Sequence, residues 1–506
     1  MVMPDAGSLR PSSVPGIDLA GRHLTGVSQS SSDVRPGDLY AALPGLRTHG
    51  AHYAGEAIAA GAGAILTDAA GAAIIGQVEI PVLIDPDPRL RAAVLAAEAY
   101  GRPADHLTMV AITGTNGKTT TAYILAAALQ ALGRRVGTVG TLGFAIDGVT
   151  LPAVRTTVTT PEAPDLQALF ALLRERGADT VVMEASSHAL ALGRVEPVVF
   201  DVAAFTNLGW DHRDFHPTQE HYFEAKASLF TPLRTRRAVV SVDDEWGRAL
   251  ADRVRATGLP LVTTSLDGTG DVTATWRTDG AITEAAVSTP SGRFDIRLSL
   301  PGEHNVRNLL TAVGILVAAG MDVGEAVPGF AEVSVPGRMQ RVRLPGTAPR
   351  VYVDFAHTPQ AVEAALEAVN AGPGRTIVVL GCGGDRDTAK RGPMGAIAVA
   401  GADVLVVTDD NPRSEDPALI REAVLEGARV ASAAAEPGSR AASCDIIDGG
   451  DRRTAIALAL RMAAGGDVVA VLGKGHETGQ QIGDRMMPFS DTDVVVEEYR
   501  LLGAGD

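Results

Sequence analysis

The chain has 506 residues, 46% of them hydrophobic and 21% charged, so it can bury several cores and should hold about three domains of ~100–200 residues. A net charge of −16 and a pI near 5.2 exclude the basic footprint of a nucleic-acid binder. Two cysteines, Cys382 and Cys444, exclude a disulfide framework or a full zinc site, and no apolar run reaches the ~18 residues of a membrane span. With no basic-then-apolar leader at its start, the chain is expected to be cytoplasmic, with no membrane insertion.

Residues 1–107 read as a small α/β domain. Val34 to Leu43 is a turn entering a strand, and Tyr53 to Ala60 a helix. Ala64 to Thr67 and Pro81 to Ile84 are short strands, and Leu90 to Tyr100 is an Ala-rich helix. The Ser30-Ser31-Ser32-Asp33 cluster offers hydroxyls to a ligand phosphate, although such a cluster alone is more often a plain loop.

Residues 108–336 form the middle domain, opened by an apolar strand run from Thr108 that breaks at Gly114. Gly114-Thr115-Asn116-Gly117-Lys118-Thr119-Thr120 then leads into a helical pattern. A strand, a glycine-bearing turn and a helix start together make a phosphate cradle, because backbone N–H groups and the helix dipole converge on an anion. Ile112 stands where the usual P-loop has its first glycine, so this is a variant motif. The plain alternative is a Gly-rich turn capping an ordinary helix. Lys118 is expected to reach the outer phosphates of a nucleoside triphosphate and Thr119 to hold Mg²⁺.

Two further strands should end on the same sheet edge. Thr180 to Met183 ends at Glu184, which can share the Mg²⁺ with Thr119, and Val202 to Phe205 leads to Asp211, His212, Asp214 and His216. Each His taken alone would be an ordinary loop residue; two His and two Asp within six residues favour a site. Lys226 lies on an amphipathic helix after Glu220 and Glu224, where a helical salt bridge is the bland reading. Asn305 and Asn308 share one face of a helix that runs to Ala319 and can face a purine, or can merely cap that helix.

Residues 337–506 alternate strand and helix. Four apolar runs each discharge a polar loop: at Asp354, at Gly381 to Asp387 with Arg386, at Asp410-Asn411-Pro412-Arg413, and at Gly473-Lys474-Gly475-His476-Glu477. That pattern is a doubly wound domain with one ligand edge. Only four of the 44 basic residues are lysine (Lys118, Lys226, Lys390 and Lys474). Arginine evidently serves wherever a solvated charge suffices, which marks the lysines as candidates for chemistry that a guanidinium cannot do.

In order along the chain, Gly114 to Thr119, Glu184-x-Ser186-Ser187-His188, Asn207-x-x-x-Asp211-His212, Glu224-Ala225-Lys226, His304-Asn305-x-x-Asn308 and Asp354-x-Ala356-His357-Thr358-Pro359 resemble the Mur ligases, ATP-dependent enzymes of peptidoglycan precursor synthesis. Asp410 to Arg413 resembles the members that add meso-diaminopimelate. The resemblance implies a three-domain α/β architecture: a small N-terminal UDP-binding domain, a central P-loop ATPase-like parallel-sheet domain and a C-terminal Rossmann-like domain. It implies Lys118, Glu184, His212 and Lys226 as catalytic residues. Two Mg²⁺ ions would be held by Thr119, Glu184, His212 and a CO₂-derived carbamate on Lys226. ATP would lie on Gly114, Thr115, Asn116, Gly117, Lys118, Thr119, Thr120, Asn305, Arg338 and Asp354. The UDP-muramoyl peptide would lie on Ser31, Thr159, Thr160, Ser186 and Arg194, and diaminopimelate on Arg386, Asp410, Asn411, Pro412, Arg413, Gly473 and Glu477. Small-molecule substrates are the expected partners, handled by a monomer. The chain departs from the family at Ser30 to Ser32, often Asp-Ser-Arg, and at Leu192, where some members carry a polar side chain. Folylpolyglutamate synthase shares the P-loop and the lysine, but lacks a UDP-binding domain to match the ~107 residues before the loop. A non-catalytic nucleotide switch would leave Glu184, His212 and Lys226 unexplained.

Overall fold

The computed structural model describes residues 10–45, 48–151, 159–209, 211, 215–279, 282–346, 348–370 and 374–503. It divides into two compact units, one of residues 1–274, 287–294 and 307–329, the other of residues 275–286, 295–306 and 330–506.

Beside a small antiparallel pair, Ile17–Leu19 with Arg22–Leu24, the first unit carries two larger sheets. Its N-terminal sheet runs in the order β1 (Gly26–Ser28), β2 (Asp38–Ala41), β3 (Ala64–Thr67), β4 (Val82–Ile84), all parallel. Helices α1 (Ala54–Ala59), α2 (Ala69–Ile75) and α3 (Pro88–Ala99) accompany it. The last two begin on aspartate caps: Asp68 accepts the Gly71 N–H at 2.7 Å and Asp87 the Leu90 N–H at 3.0 Å.

The second sheet is built on β5 (Thr108–Thr113), which lies between β8 (Thr180–Glu184) and β9 (Val202–Phe205). Beyond β8 come β6 (Val136–Gly140) and β7 (Gly143–Ile146); beyond β9 come β10 (Ala238–Ser241) and β11 (Leu261–Ser265). Every pairing among these is parallel except β6–β7. Strands covered on both faces read as near-continuous apolar runs; β8 and β9 are buried along their whole length, with Thr180 and Glu184 as the polar ends of β8. The chain leaves β5 towards β6 and β8 on one side and returns to β9 on the other. That reversal opens a crevice at the carboxyl ends of β5, β8 and β9. Helix α4 (Lys118–Ala131) follows β5, and α5 (Ala163–Glu175) lends Ala168 to the core beneath the N-terminal sheet.

The second unit holds a six-stranded sheet, β12 (Gln340–Val342), β13 (Arg350–Asp354), β17 (Val468–Leu472), β14 (Thr376–Cys382), β15 (Val404–Asp409) and β16 (Asp445–Gly450) in spatial order. It is parallel except for β12–β13. Its two faces bury separate aliphatic clusters, one around Leu380, Met394 and Val424, the other around Val379, Ile456 and Val495. Three strands over Val272–Asp279, Ile282–Thr289 and Gly292–Leu298 were not singled out by the sequence reading.

Candidate active site

The glycine loop after β5 is shaped by two backbone positions. Gly114 has φ +146° and Gly117 φ +84°, a region that side chains rarely adopt. Space makes the same demand: a Cβ on Gly114 would overlap the Thr206 hydroxyl, and one on Gly117 would overlap Asn308 Oδ1. The loop is clamped by the segment after β9. Thr206 Oγ1 donates to the Asn116 carbonyl at 2.7 Å, and Asn207 both accepts the Asn116 N–H (3.0 Å) and donates to its carbonyl (3.1 Å). The Thr115 hydroxyl accepts the Gly209 N–H at 2.8 Å and donates to the Tyr222 hydroxyl at 3.2 Å. This clamp was not foreseen, because its partners lie some ninety residues from the loop; Asn207 stood out only as part of a motif.

Two lysines meet on one carbonyl. Lys118 Nζ donates to the carbonyls of Gly114 and Thr115, each at 2.9 Å. Lys226 arrives from α7 (Gln219–Ala227) and donates to the same Gly114 carbonyl at 2.7 Å, with the Tyr222 ring centre 4.4 Å from its nitrogen. Glu224 instead pairs with Arg253 at 2.7 Å, so the helical salt-bridge reading of Lys226 gives way to a buried one. Lys226 is 1% exposed. Burial foremost, and then the Lys118 charge, push its pKa well below the ordinary 10.5, with Asp211 opposing. A cavity of about 410 Å³ is lined in part by Gly209, Asp211, His216 and Tyr222, the residue whose ring lies under Lys226.

Glu184 stands at the end of β8 as a hub. Its carboxylate accepts the Thr119 hydroxyl at 2.9 Å, the Thr141 N–H at 2.8 Å and the Thr141 hydroxyl at 3.0 Å. Its backbone carbonyl accepts the Thr160 hydroxyl at 2.8 Å. Thr160 also accepts the Ser186 N–H (3.2 Å), and Ser186 caps α6 (Ser187–Ala191) by accepting the Ala189 N–H (3.2 Å). Arg194 donates to the Thr160 carbonyl at 3.2 Å and pairs with Glu162 at 2.8 Å; Glu162 also receives Arg89 of the N-terminal domain at 3.0 Å. The buried Nε of Arg194 has no protein acceptor among the described residues. Thr159 meets the Thr141 hydroxyl at 3.3 Å. Thr159, Thr160, Ser186 and Arg194 therefore gather next to Glu184. Ser31 is placed apart from them, donating to Glu56 at 2.9 Å within the N-terminal domain.

Thr119 and Glu184 offer adjacent hard oxygens, a donor set suited to Mg²⁺, which binds through few protein oxygens and keeps the rest for water and phosphate. Among the described residues no three His, Cys, Asp or Glu converge on a metal position. His212, expected as a ligand, lies outside the described residues. Its neighbour His216 is buried, with one ring nitrogen 2.9 Å from the Ser187 hydroxyl and the other 2.9 Å from His221 Nδ1.

The second unit holds the remaining expected residues. Asn305 is buried, and its side-chain amide donates to the carbonyl of Pro301, just before its helix, at 2.7 Å. The Arg338 guanidinium lies 4.6 Å from the Phe355 ring centre. Asp354 accepts the Met339 N–H at 2.6 Å; burial raises its pKa, against Arg338 and its hydrogen bonds. His476, whose ring contacts Phe355 at 5.1 Å, is held down to about 4 by burial first and then by Arg338 and Lys474.

The ends of β15 and β17 come together in the same unit. Lys474 Nζ lies 2.9 Å from Glu477 Oε2, 3.1 Å from Asn411 Oδ1 and 3.5 Å from Asp410 Oδ1. Asn411 donates to Glu477 at 2.8 Å and accepts the Gln481 N–H at 2.9 Å. Arg413 has φ +53° and donates through its guanidinium to the Gly384 carbonyl. The Gly384 N–H bonds the Asn411 carbonyl at 2.9 Å, and the Pro412 carbonyl packs so close to Gly384 that a Cβ there would overlap it. Gly473, at φ +115°, bonds the Asp354 carbonyl at 3.0 Å. Arg386 is exposed. Beneath these loops Arg452 and Asp491, both wholly buried, form a two-bond pair at 2.7 Å each, and Arg452 also donates to the carbonyls of Leu472 (3.0 Å) and Asp409 (3.5 Å). No sequence signal pointed to that pair.

Three family models match: the Mur ligase family, catalytic domain at residues 23–100, the Mur ligase middle domain at 112–316, and the Mur ligase glutamate ligase domain at 337–475. The chain is 47% identical over 485 residues to the UDP-N-acetylmuramoyl-L-alanyl-D-glutamate–2,6-diaminopimelate ligase of Streptomyces coelicolor, covering 94% of this chain and 92% of that one. A solved structure of a ligase of that name superposes with a TM-score of 0.68 at 30% identity, covering 96% and 98% of the two chains. The ADP complex of MurF from Thermotoga maritima shares the fold, with a TM-score of 0.64 at 19% identity over 95% and 98%. With its variant nucleotide loop, its Glu184 hub and its buried Lys226 set in this three-domain frame, the chain belongs to the Mur ligase family.

Proposed function

We propose that the chain joins meso-diaminopimelate to UDP-N-acetylmuramoyl-L-alanyl-D-glutamate at the expense of ATP, by way of an acyl phosphate on the D-glutamate side carboxylate. The observation that carries this reading is Lys226, a wholly buried amine held beside Lys118 at the nucleotide loop. A buried cation next to another cation is costly, and a lysine there can serve as a neutral nucleophile towards CO₂, which an arginine cannot. Its carbamate would be an anionic oxygen ligand.

Phosphoryl transfer between two anions depends on positioning and charge neutralisation more than on covalent help. The N–H groups of Gly114 to Thr120 would cradle the phosphates, and Lys118 would leave its loop carbonyls for the γ-phosphate. Bound Mg²⁺ would supply Lewis-acid neutralisation, held by Thr119 and Glu184 and, for a second ion, by His212 and carbamylated Lys226. Thr159, Thr160, Ser186 and Arg194 would orient the muramoyl peptide, with the unmatched Arg194 N–H as one donor, and Ser31 would hold the UDP end. Asn305, Arg338 and Asp354 would hold the nucleoside and phosphates of ATP. The diaminopimelate amine would then attack the acyl phosphate and expel phosphate. Arg413, Arg386 and Asn411 would hold the distal carboxylate, and Glu477 and Asp410 the distal ammonium, beside Pro412 and Gly473.

Phosphate release with ATP, Mg²⁺ and UDP-MurNAc-L-Ala-D-Glu tests the reading, comparing meso-diaminopimelate, L-lysine and no amino acid. Release should require meso-diaminopimelate, and Arg413→Ala should lose it. Release with lysine instead would overturn the assignment of Arg413, and release with neither would overturn the ligase.

A further inference from the structure

In the β15–β17 loop cluster the Lys474 ammonium faces three protein acceptors and no solvent. Its side chain is 0% exposed. An ammonium has three N–H donors, and here three acceptors surround it: Glu477 Oε2, Asn411 Oδ1 and Asp410 Oδ1. The consequences fall on its neighbours. Asn411 Oδ1 accepts from both Lys474 and the Gln481 N–H, which fixes the amide the other way round from a flipped rotamer. One Asn411 N–H goes to Glu477, so a single N–H remains, and it must act as a donor. Glu477 Oε2 is taken by Lys474 and Asn411, while the side chain is 35% exposed, which leaves Oε1 as the outward acceptor.

We propose that Lys474 is a positioning residue for amino-acid selection: it aims one donor from Asn411 and one acceptor from Glu477 outward, and its charge balances the cluster for a zwitterionic partner. The inference rests on the reading of this cluster as the amino-acid site. Lys474 is the cation in direct contact with the carboxylates of Asp410 and Glu477, with the charge of Arg452 lying beneath them. A distal end with both ammonium and carboxylate is neutral, whereas the distal end of L-lysine is a bare cation. Removing Lys474 makes the pocket more negative and takes away one of the three bonds that orient the amide, leaving those to Gln481 and Glu477, and both changes shift preference towards the bare cation.

The test measures kcat and KM with meso-diaminopimelate and with L-lysine for wild type, Lys474→Met and Lys474→Arg, with the KM for ATP followed in parallel. Wild-type enzyme that ignores meso-diaminopimelate sinks the reading of the site itself, whatever the variants do. Given wild-type preference for meso-diaminopimelate, Lys474→Met should raise its KM and cut its kcat/KM advantage over lysine by about tenfold or more, leaving the KM for ATP unchanged. An equal fall for both amino acids, with the advantage preserved, reduces Lys474 to a packing role and overturns the proposal. Should Lys474→Met fail to fold, Lys474→Arg keeps the charge while displacing the hydrogen bonds. A raised KM for meso-diaminopimelate with ATP unaffected then supports the proposal, and an unchanged KM overturns it.

Discussion

Replacing Asp491 with asparagine tests what holds the ends of β15 and β17. In the native protein Arg452 is wholly buried. Burial alone would lower its pKa, but the two bonds to Asp491 and the nearby charges of Asp410 and Glu477 raise it, so it stays charged. Asp491→Asn keeps the volume and removes the balancing charge. Breaking a buried pair from one side costs about 3–5 kcal/mol, because the remaining ion has neither water nor counter-charge. The penalty should concentrate where Arg452 donates, at the Leu472 and Asp409 carbonyls. Amide hydrogen exchange of β15 and β17 is the assay, and protection there should fall by about 10²- to 10⁴-fold. The double variant Arg452→Met with Asp491→Leu should recover most of it, since a well-packed apolar pair is close to neutral against the ion pair. A single-variant loss under about 1 kcal/mol, the range of an exposed pair, would refute the reasoning.

Lys226→Arg should cut turnover by more than about 10²-fold, and wild-type activity should fall in CO₂-free buffer and return with bicarbonate while the arginine variant stays silent. Gly114→Ala forces a Cβ into the Thr206 hydroxyl at φ +146°, so fluorescent-nucleotide titration should show weakened binding, with about 1–3 kcal/mol of strain visible in the melting temperature. His476 is held neutral, with its pKa at about 4 against an ordinary 6.5. The stability this gives the folded state is fully present above pH 6.5 and is lost as pH falls through 4. It amounts to about 3 kcal/mol, and His476→Asn should flatten that part of an acid-denaturation curve.

The strands that build the ligand edges, and the residues that end them, were legible because periodicity and glycine placement are local. Ala64–Thr67 and Val468–Leu472 fall where their apolar runs lie, and Glu184 closes β8 as its run implied. Lys226 was marked by its scarcity, its place after the His/Asp loop and its Glu224-Ala225-Lys226 motif, but its burial on the Gly114 carbonyl, 112 residues earlier in the chain, depends on packing that no spacing encodes. The same holds for Arg452 and Asp491, which look like two ordinary charges on a helix start until they face each other 39 residues apart. Asn411 was read as a ligand for substrate, but which way its amide points is settled by Lys474 and Gln481, beyond the reach of a motif.

The scarcity of lysine has an experimental corollary. Lys226 and Lys474 are buried, and Lys118 and Lys390 are half-buried, so no lysine side chain in this chain stands fully in solvent. Acylating dyes, amine cross-linkers and aldehyde fixatives will find few handles on it. Lys118 is one of the two most open to them and sits on the nucleotide loop. The rate at which a small acylating reagent modifies Lys118, referenced to Lys390 in the same digest, is therefore an occupancy gauge for the nucleotide site that needs no added label.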